Sequence, residues 1–219
     1  MTVLEAINAR HSVRAYQDRP VDPETRQRLD QFVQECNRES GLDIFIRYDD
    51  SAGFDSRLAH YGRFRNVKNY IVLAGKQTED FDYVCGFYGE KIVLFAQQQG
   101  LNTCWAALTF NKRKVRELIP AGEKLCMVIA LGYGETQGVN RKSKTAKDVT
   151  DTESGPAWFS EGVSAALKAP TAVNQQKFLF SLRDGEPFVQ VKGWGSYTKV
   201  DLGIAAYHFE VASGKTVRH

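Results

Sequence analysis

A chain of 219 residues is long enough for one large domain or two small ones, and 42% hydrophobic with 25% charged residues is ordinary for a globular protein. A net charge of +3 without a run of five or more basic residues argues against nucleic acid as a partner. No apolar run approaches the roughly 20 residues that span a bilayer, so no membrane location is expected.

Cysteine usage predicts a reducing compartment. The four cysteines, Cys36, Cys85, Cys104 and Cys126, form no CxxC pair, and each lies in an apolar stretch. Buried thiols are therefore expected rather than disulfides or a zinc site, and no metal is predicted. The N-terminus also lacks the apolar segment of a secretion signal, so the cytoplasm is the expected location.

Helix-start signals and apolar periodicity place the elements along the chain. Thr2 and Glu5 have the spacing of a capping box, so a first helix should begin here and run into Arg10. A second helix should begin after Asp22, an N-cap residue that Pro23 follows. This second helix should end at about residue 37. The elements predicted after it are a strand at 42–48, a polar loop at 49–66, a strand at 70–74, helices at 83–99 and 111–119, a strand at 125–131, a helix at 158–168, strands at 178–182 and 187–191, and a helix at 197–212.

Residues 134–157 differ from the rest because Gly, Thr, Asn, Lys and Asp dominate there. They are predicted as a long crossing segment rather than a domain boundary. Asp184-Gly185 is a two-residue hairpin signal between the late strands. The element order predicts an α+β fold with one mixed sheet flanked by helices, in a single domain over residues 1–219.

A short polar segment, Arg10-His11-Ser12-Val13-Arg14, follows the first helix. If the chain is extended here, Arg10, Ser12 and Arg14 project to the same side. Two guanidinium forks and a hydroxyl in line would suit a phosphate with a polar ring system beyond it. Basic surface strands are common, so the segment predicts an anion site only if other residues converge on it.

Three further stretches stand out, and each has two interpretations. Gly100–Leu108 has small side chains that would let a flat ligand approach the backbone, but alone it favours a helix end that leads into a packed turn. Ala169–Gln176 carries a hydroxyl and three amides, whose partners would come from a polar ligand or from a well-bonded turn. Arg141 and Lys142 would contact an anion or lie in a solvated loop.

Together, the four stretches resemble the nitroreductase family of flavoproteins. Arg10–Arg14 matches the family's Arg-x-Ser-x-Arg pattern, and Gly100–Trp105 is similar to its GLGTCW stretch. Ala169–Phe178 resembles its APSxxNxQPW stretch. The departures from these patterns are Asn102 for a glycine, Thr171 for serine, Lys177 for proline and Phe178 for tryptophan.

The order of the motifs differs from that of ordinary family members, in which the asparagine motif lies in the first third of the chain. Here it lies at 169–178. Ordinary members are homodimers that bind FMN at the subunit interface, so a chain that carries both motifs would build one site by itself. The resemblance therefore implies a single-chain, pseudo-dimeric member with degenerate repeats at about 1–133 and 158–213, joined by the crossing segment 134–157, and a monomer in solution.

Carried over residue by residue, the resemblance implies where FMN would bind. Arg10 and Ser12 would bind its phosphate, with a backbone or ring contact from His11. Arg14 would face the N1/O2 edge of the isoalloxazine, where a fixed cation favours the anionic reduced flavin. The other implied contacts are the backbone groups of Trp105, Ala106, Ala107 and Leu108 at N5 and O4, Pro170, Thr171, Ala172 and Asn174 at the other side of the ring and ribityl chain, and Arg141 and Lys142 as a loosely matched phosphate contact.

The resemblance implies an FMN-dependent oxidoreductase that passes hydride from NADH or NADPH through flavin N5 to a small electron-poor acceptor, such as a nitroaromatic or a quinone. Reduction of the flavin needs no protein acid or base, so no catalytic side chain is assigned. The alternative is an FMN-binding protein without turnover (a carrier, sensor or stabiliser of flavin), because two motifs are altered and no nicotinamide signature is recognisable. A basic nucleic-acid or protein-interaction module is a third alternative, with the least support.

Overall fold

The computed structural model describes residues 1–56, 59 and 61–219, which divide into two compact units. We call residues 1–8, 82–91 and 141–219 the hairpin unit, and residues 9–81 and 92–140 the sheet unit. The elements in chain order are α1 (Val3–Ala9), α2 (Pro23–Ser40), β1 (Phe45–Arg47), β2 (Asn69–Gly75), α3 (Phe81–Gln98), β3 (Asn102–Ala106), α4 (Lys112–Arg116), β4 (Lys124–Gly132), α5 (Ala146–Val149), α6 (Ala157–Ala166), a 3-10 turn (Ala172–Asn174), β5 (Phe178–Arg183), β6 (Glu186–Val191) and α7 (Thr198–Ser213).

The sheet unit is built on four antiparallel strands in the order β1, β2, β4, β3. The two central strands, β2 and β4, are nearly continuous apolar runs, and every residue of β2 is buried. Val72 pairs with Val128 in the register between them. Both strands contribute to a core that also contains Tyr16, Phe54 and Phe110. Burial on both faces explains why these strands lack polar alternation.

The hairpin unit contains β5, β6 and helices α6 and α7. Asp184 and Gly185 join the two strands, and their φ angles of 53° and 80° are the positive values that a type I′ turn requires. Phe209 of α7 stacks on Phe180 of β5 with ring centroids 4.7 Å apart. The same ring contacts Phe159 of α6 edge-on at 5.7 Å. One aromatic side chain of α7 therefore packs against both the hairpin and α6.

The local helix-start signals are confirmed. The Thr2 N–H donates to Glu5 Oε2 at 2.7 Å, and the Glu5 N–H donates to Thr2 Oγ1 at 3.2 Å. Asp22 caps α2 by accepting from the Thr25 N–H at 2.9 Å. Gly41 follows the helix with a φ of 71°, a left-handed conformation in which a glycine has no Cβ to strain.

The predicted α+β class is confirmed, but two details of the prediction are wrong. The mixed sheet is instead two sheets of antiparallel strands, and parallel pairing occurs as isolated bridges such as that between Ser12 and Thr103. The stretch from Gly100 to Leu108, for which a packed turn was the favoured interpretation, contains strand β3. Its backbone forms a ladder with β4, a pairing partner that local sequence does not indicate.

Other predictions have different outcomes. Arg57, Leu58 and His60 of the predicted loop at 49–66 lie outside the described residues. Cys36, Cys85 and Cys104 are buried thiols, as predicted, whereas Cys126 is only partly buried. The degenerate repeats stay a prediction. No helix in the described part of the chain is long and apolar enough to cross a membrane.

Candidate functional site

The polar segment Arg10–Tyr16, which we call the arginine segment, lies against the outer strand of the sheet. Ser12 forms a parallel bridge with Thr103 of β3, and the Val13 N–H donates to the Thr103 carbonyl at 3.0 Å. β3 is an edge strand, so its outer backbone groups are open to further pairing. The segment uses these groups, and the sheet thereby fixes its backbone.

Burial differs from one side chain of the arginine segment to the next. Val13 and Tyr16 are buried in the core, and the Tyr16 hydroxyl donates to the Val13 carbonyl at 2.6 Å. Arg14 lies between them in sequence and is exposed. Arg10 is only 6% exposed despite its charge. The two core residues therefore anchor the backbone while Arg14 remains accessible to a ligand.

Three donors of the arginine segment lie around one buried thiol, that of Cys104 in β3. Burial raises the pKa of this thiol, whereas Arg14, a hydrogen bond with the Ser12 side chain and Arg10 all act to lower it. All three side chains therefore act on one position of β3. Guanidiniums and a hydroxyl are the kinds of donor that suit a phosphate.

The loop after β4 approaches His11. The ring of His11 is fixed by two contacts, with Nδ1 3.0 Å from the Ala9 carbonyl and Nε2 2.9 Å from Oδ1 of Asn140. At Gly138, φ is 81°, and a Cβ there would lie 2.5 Å from the His11 Cβ. Only a glycine accommodates both the backbone conformation and this close contact.

The stretch predicted to present backbone groups to flavin N5 and O4 lies at the end of β3. Trp105 and Ala106 form the last two pairs of its ladder with β4. Ala107 and Leu108 continue beyond the ladder, and Leu108 is 69% exposed. The ladder therefore ends at the position where backbone contacts to a ligand are predicted.

Asn102, which stands where the family pattern has a glycine, makes structural hydrogen bonds through its side chain. Its side chain is 2% exposed, and its Oδ1 accepts from the Gly134 N–H at 3.0 Å. Its Nδ2 donates to Oε1 of Gln137 at 3.1 Å. A Cβ at Gly134 would lie only 2.8 Å from Cγ1 of Val13. Asn102 therefore binds the loop after β4 at a point where that loop touches the arginine segment.

We expect Asn102→Gly, which restores the family residue, to lower the free energy of unfolding by about 1–3 kcal/mol, because the Gly134 N–H loses its acceptor. Gln137→Ala removes the other partner of Asn102 and is the matched control. It should cost less than about 1 kcal/mol, since the Asn102 amide can then reach water. Urea unfolding measures both values, and equal losses would contradict the role of Asn102.

Residues 169–176, which we call the amide turn, follow α6 in the hairpin unit. Val173, Asn174 and Gln176 have positive φ angles of 46°, 56° and 44°. A non-glycine residue in this region costs roughly 1–3 kcal/mol, so such a turn persists only where surrounding bonds hold it. The structure supplies these bonds from several directions.

Two side-chain amides of the amide turn, those of Gln176 and Asn174, differ in their hydrogen bonding. Gln176 is 1% exposed; its Oε1 accepts from the Lys144 N–H at 2.8 Å, and its Nε2 donates to the Leu167 carbonyl at 2.9 Å. It is satisfied by the protein. Asn174 donates to the Lys142 carbonyl at 2.7 Å, but its buried Oδ1 has no hydrogen-bond partner among the described residues. Such an acceptor is a position for the N–H of a ligand.

Arg141 makes hydrogen bonds that help to hold the amide turn. Its guanidinium donates to the carbonyls of Leu167 and Ala169, so this side chain is not simply solvated. Lys142 contributes its carbonyl to Asn174, as described above, and is itself exposed. A contact of either residue with a phosphate stays a prediction.

Sequence reasoning missed Asp201 of α7. Its Oδ1 accepts from the Ala172 N–H at 2.9 Å, and its Oδ2 accepts from Nε2 of Gln175 at 2.7 Å. Just before these contacts the chain passes through buried Pro170 and through Thr171, which is extended with a φ of −134°. A single acid between the apolar residues Val200 and Leu202 was the available signal, because a buried carboxylate needs partners.

The side chains of the arginine segment are of the types that would suit an anionic ligand. A family model described as "Putative TM nitroreductase" matches residues 2–213. Since this match spans nearly the whole chain, the chain belongs to the nitroreductase family. Among curated proteins, none matches it.

Solved structures with this fold include three useful comparisons. A Thermotoga maritima protein assigned as a nitroreductase has a TM-score of 0.70 and 25% identity, covering 97% of this chain and 83% of that chain. A Desulfovibrio desulfuricans protein assigned as a nitroreductase and solved with FMN has a TM-score of 0.57 and 21% identity. The match covers 71% of this chain and 99% of that chain. A Parabacteroides distasonis protein assigned as an NADH dehydrogenase/NAD(P)H nitroreductase has a TM-score of 0.54 and 22% identity. The match covers 67% of this chain and 95% of that chain. The last two comparisons show the fold alone.

Proposed function

We propose that this chain binds FMN and passes hydride from NADH or NADPH to a small electron-poor acceptor, such as a nitroaromatic or a quinone. The observation that carries the proposal is the match to the nitroreductase family over residues 2–213, in a chain whose arginine segment is bound to the edge strand β3. Two proteins of the same fold support it, because one was solved with FMN and the name of the other includes NAD(P)H.

The donors present fit the chemistry of FMN. Its phosphate is an anion, for which guanidiniums and a hydroxyl are suitable partners. Its ring carries both carbonyl acceptors and an N–H donor, and the buried Oδ1 of Asn174 is an acceptor for such a donor. When bound, FMN supplies the hydride chemistry, while the protein supplies binding, orientation and electrostatics.

Each predicted residue has a role in this proposal. Arg10, His11 and Ser12 bind the phosphate, and Arg14 places a cation at the N1/O2 edge, where it stabilises negative charge. No side chain is assigned as a catalytic acid or base. The remaining proposed contacts are those of Trp105, Ala106, Ala107, Leu108, Arg141, Lys142, Pro170, Thr171, Ala172 and Asn174.

The absorbance spectrum of the purified protein tests the proposal. We expect a flavin band near about 450 nm after FMN is added and the excess is removed. Anaerobic mixing with NADH and with NADPH should then bleach this band. A protein without the band contradicts flavin binding, whereas a band that neither nucleotide bleaches favours an FMN-binding protein without turnover.

Arg14→Ala tests the arginine segment, because this side chain is exposed and its removal should leave the fold intact. We expect FMN affinity to fall by about tenfold to a hundredfold, since a hydrogen bond to a charged group is worth about 1.5–3 kcal/mol. Arg113→Ala is the matched control, an exposed arginine on α4 of the same unit. Fluorescence titration with FMN measures both, and equal affinities for the two variants would count against the site.

We further propose that the chain acts as a monomer, because it carries both family motifs itself, and that it lies in the cytoplasm, because its cysteines are unpaired thiols. A sizing column measures the oligomeric state. An elution volume for twice 24.6 kDa would argue against the monomer.

A further inference from the structure

Asp201 stands in an unusual position for a carboxylate. It lies in the first turn of α7 and is only 4% exposed. Both of its oxygens are occupied by the amide turn, one by the backbone N–H of Ala172 at 2.9 Å and the other by the side chain of Gln175 at 2.7 Å. The flavin-binding roles proposed above do not include this residue.

The amide turn depends on such bonds, because three of its residues have left-handed backbone conformations. Gln175 extends the network, since its Nε2 also donates to the Ser196 carbonyl at 2.8 Å. Asp201 and Gln175 therefore join the turn to the residues that lead into α7. Asn174, whose Oδ1 is the buried acceptor without a donor among the described residues, lies between the two positions that Asp201 binds.

We propose that Asp201 is the positioning residue of the amide turn and that its carboxylate, by holding Ala172 and Gln175, sets the affinity of the chain for flavin. This inference rests on the proposed flavin-binding function. It adds a residue that acts on the site through the backbone of Ala172 and the side chain of Gln175, which lie on either side of Asn174.

The charge on Asp201 makes this role dependent on pH. Burial raises its pKa to about 6 from the 3.8 of an ordinary aspartate, against the opposing effects of the Ala172 N–H, the Gln175 amide and Arg141. In the described chain, Arg141 is the charged group whose field acts on it. As the pH falls through about 6, the carboxyl in the closed turn takes up a proton, which removes the cost of burying its charge. In an opened turn the solvated carboxyl keeps a pKa near 3.8 and stays ionised, so the closed turn becomes more stable relative to the opened one as the pH falls.

Asp201→Asn separates the two contacts. The asparagine oxygen can still accept from Ala172, but its NH₂ group would face the NH₂ group of Gln175. Glu210→Gln is the matched control, because Glu210 lies on the same helix, burial also raises its pKa, and it accepts from the Val217 N–H at 2.9 Å. It makes none of the contacts with the amide turn.

The experiment measures the FMN dissociation constant of wild type, Asp201→Asn and Glu210→Gln by fluorescence between pH 5 and 7.5. The phosphate of FMN itself titrates near about pH 6, so all three proteins share that part of the pH dependence. The ratio of the Asp201→Asn constant to the wild-type constant removes it. We expect this ratio to be about ten at pH 7.5 and to rise toward pH 5, because protonation of Asp201 stabilises the closed turn in the wild type alone. The Glu210→Gln ratio should stay near one throughout.

Hydrogen exchange at the Ala172 amide supplies a readout that needs no flavin. Its protection factor should fall in Asp201→Asn, and in the wild type it should rise as the pH falls from 7.5 to 5. The wild-type series remains decisive even if the variant does not fold.

The outcomes separate this inference from the proposed function. A wild type that binds FMN with an Asp201→Asn ratio near one, or with a ratio that does not change with pH, overturns the inference alone. Unchanged protection of Ala172 also overturns it. A wild type that takes up no FMN overturns the proposed function and the flavin part of the inference together, whatever the exchange data show.

Discussion

Replacing Glu90 with alanine is expected to lower the free energy of unfolding by about 3–5 kcal/mol. Glu90 of α3 and His208 of α7 are both fully buried, and His208 Nε2 lies 2.9 Å from Glu90 Oε1. The other ring nitrogen, Nδ1, lies 3.1 Å from the Ala165 carbonyl, which can only accept, so Nδ1 carries a hydrogen. Truncation of Glu90 leaves the buried Nε2 facing a space that holds no carboxyl group.

Two further variants identify the polar contact as the cause. Glu90→Gln keeps an amide that can donate to Nε2 and should cost only about 1 kcal/mol. The double variant Glu90→Met with His208→Leu removes both polar groups and should recover most of the loss, because apolar residues of similar volume often replace buried pairs without penalty. Urea unfolding measures all three. A loss below about 1 kcal/mol for Glu90→Ala would contradict the expectation.

Gly203→Ala should lower the free energy of unfolding by about 3 kcal/mol, the upper part of the range for overpacking. A Cβ at Gly203 would lie 2.0 Å from the Tyr83 carbonyl oxygen, and one at Gly86 would lie 2.1 Å from the Val200 carbonyl oxygen. The obstructing atoms belong to backbone, so no change of rotamer relieves the contact. Helices α3 and α7 would have to move apart, and this cost exceeds the gain of about 1 kcal/mol from higher helix propensity.

Gly86→Ala should have a similar effect, because it obstructs the same helix crossing from the other side. The double variant should lose less than the sum of the single losses, since one separation of the helices relieves both contacts. Ser164→Ala, at an exposed position of α6, is the control for substitution in a helix. Thermal unfolding gives the comparison, and a Gly203→Ala stability equal to that of the control would show that the helices do not cross so closely.

Much of the local structure could be predicted because its causes lie within a few residues. The capping pair Thr2 and Glu5, the N-cap Asp22 and the turn Asp184-Gly185 all form as expected. Each depends on bonds or dihedral angles set by neighbours in sequence. The continuous apolar runs of β2 and β4 likewise indicate central strands, because only buried strands dispense with polar alternation.

The sequence indicates candidate residues for the site, but it does not indicate the long-range hydrogen bonds that hold the surrounding backbone. Arg10, Ser12 and Arg14 were identified from their spacing, and in the structure all three act on the pKa of the Cys104 thiol. Their binding of a phosphate stays a prediction. Asn102 was noticed as a departure from a motif, yet its bond to the Gly134 N–H depends on a partner 32 residues away. Strand β3 was not expected for the same reason, since its ladder requires β4.

The sequence by itself determined the α+β class, most helix and strand positions and the residues that resemble a flavin site, because periodicity, capping and motif spacing are local properties. The tertiary structure alone decided that Asp201 holds the amide turn, that Glu90 meets His208 and that Gly203 lies against Tyr83. These contacts join residues between 29 and 120 positions apart. Their energies depend on which buried surfaces meet, and no pattern within one segment specifies its partner.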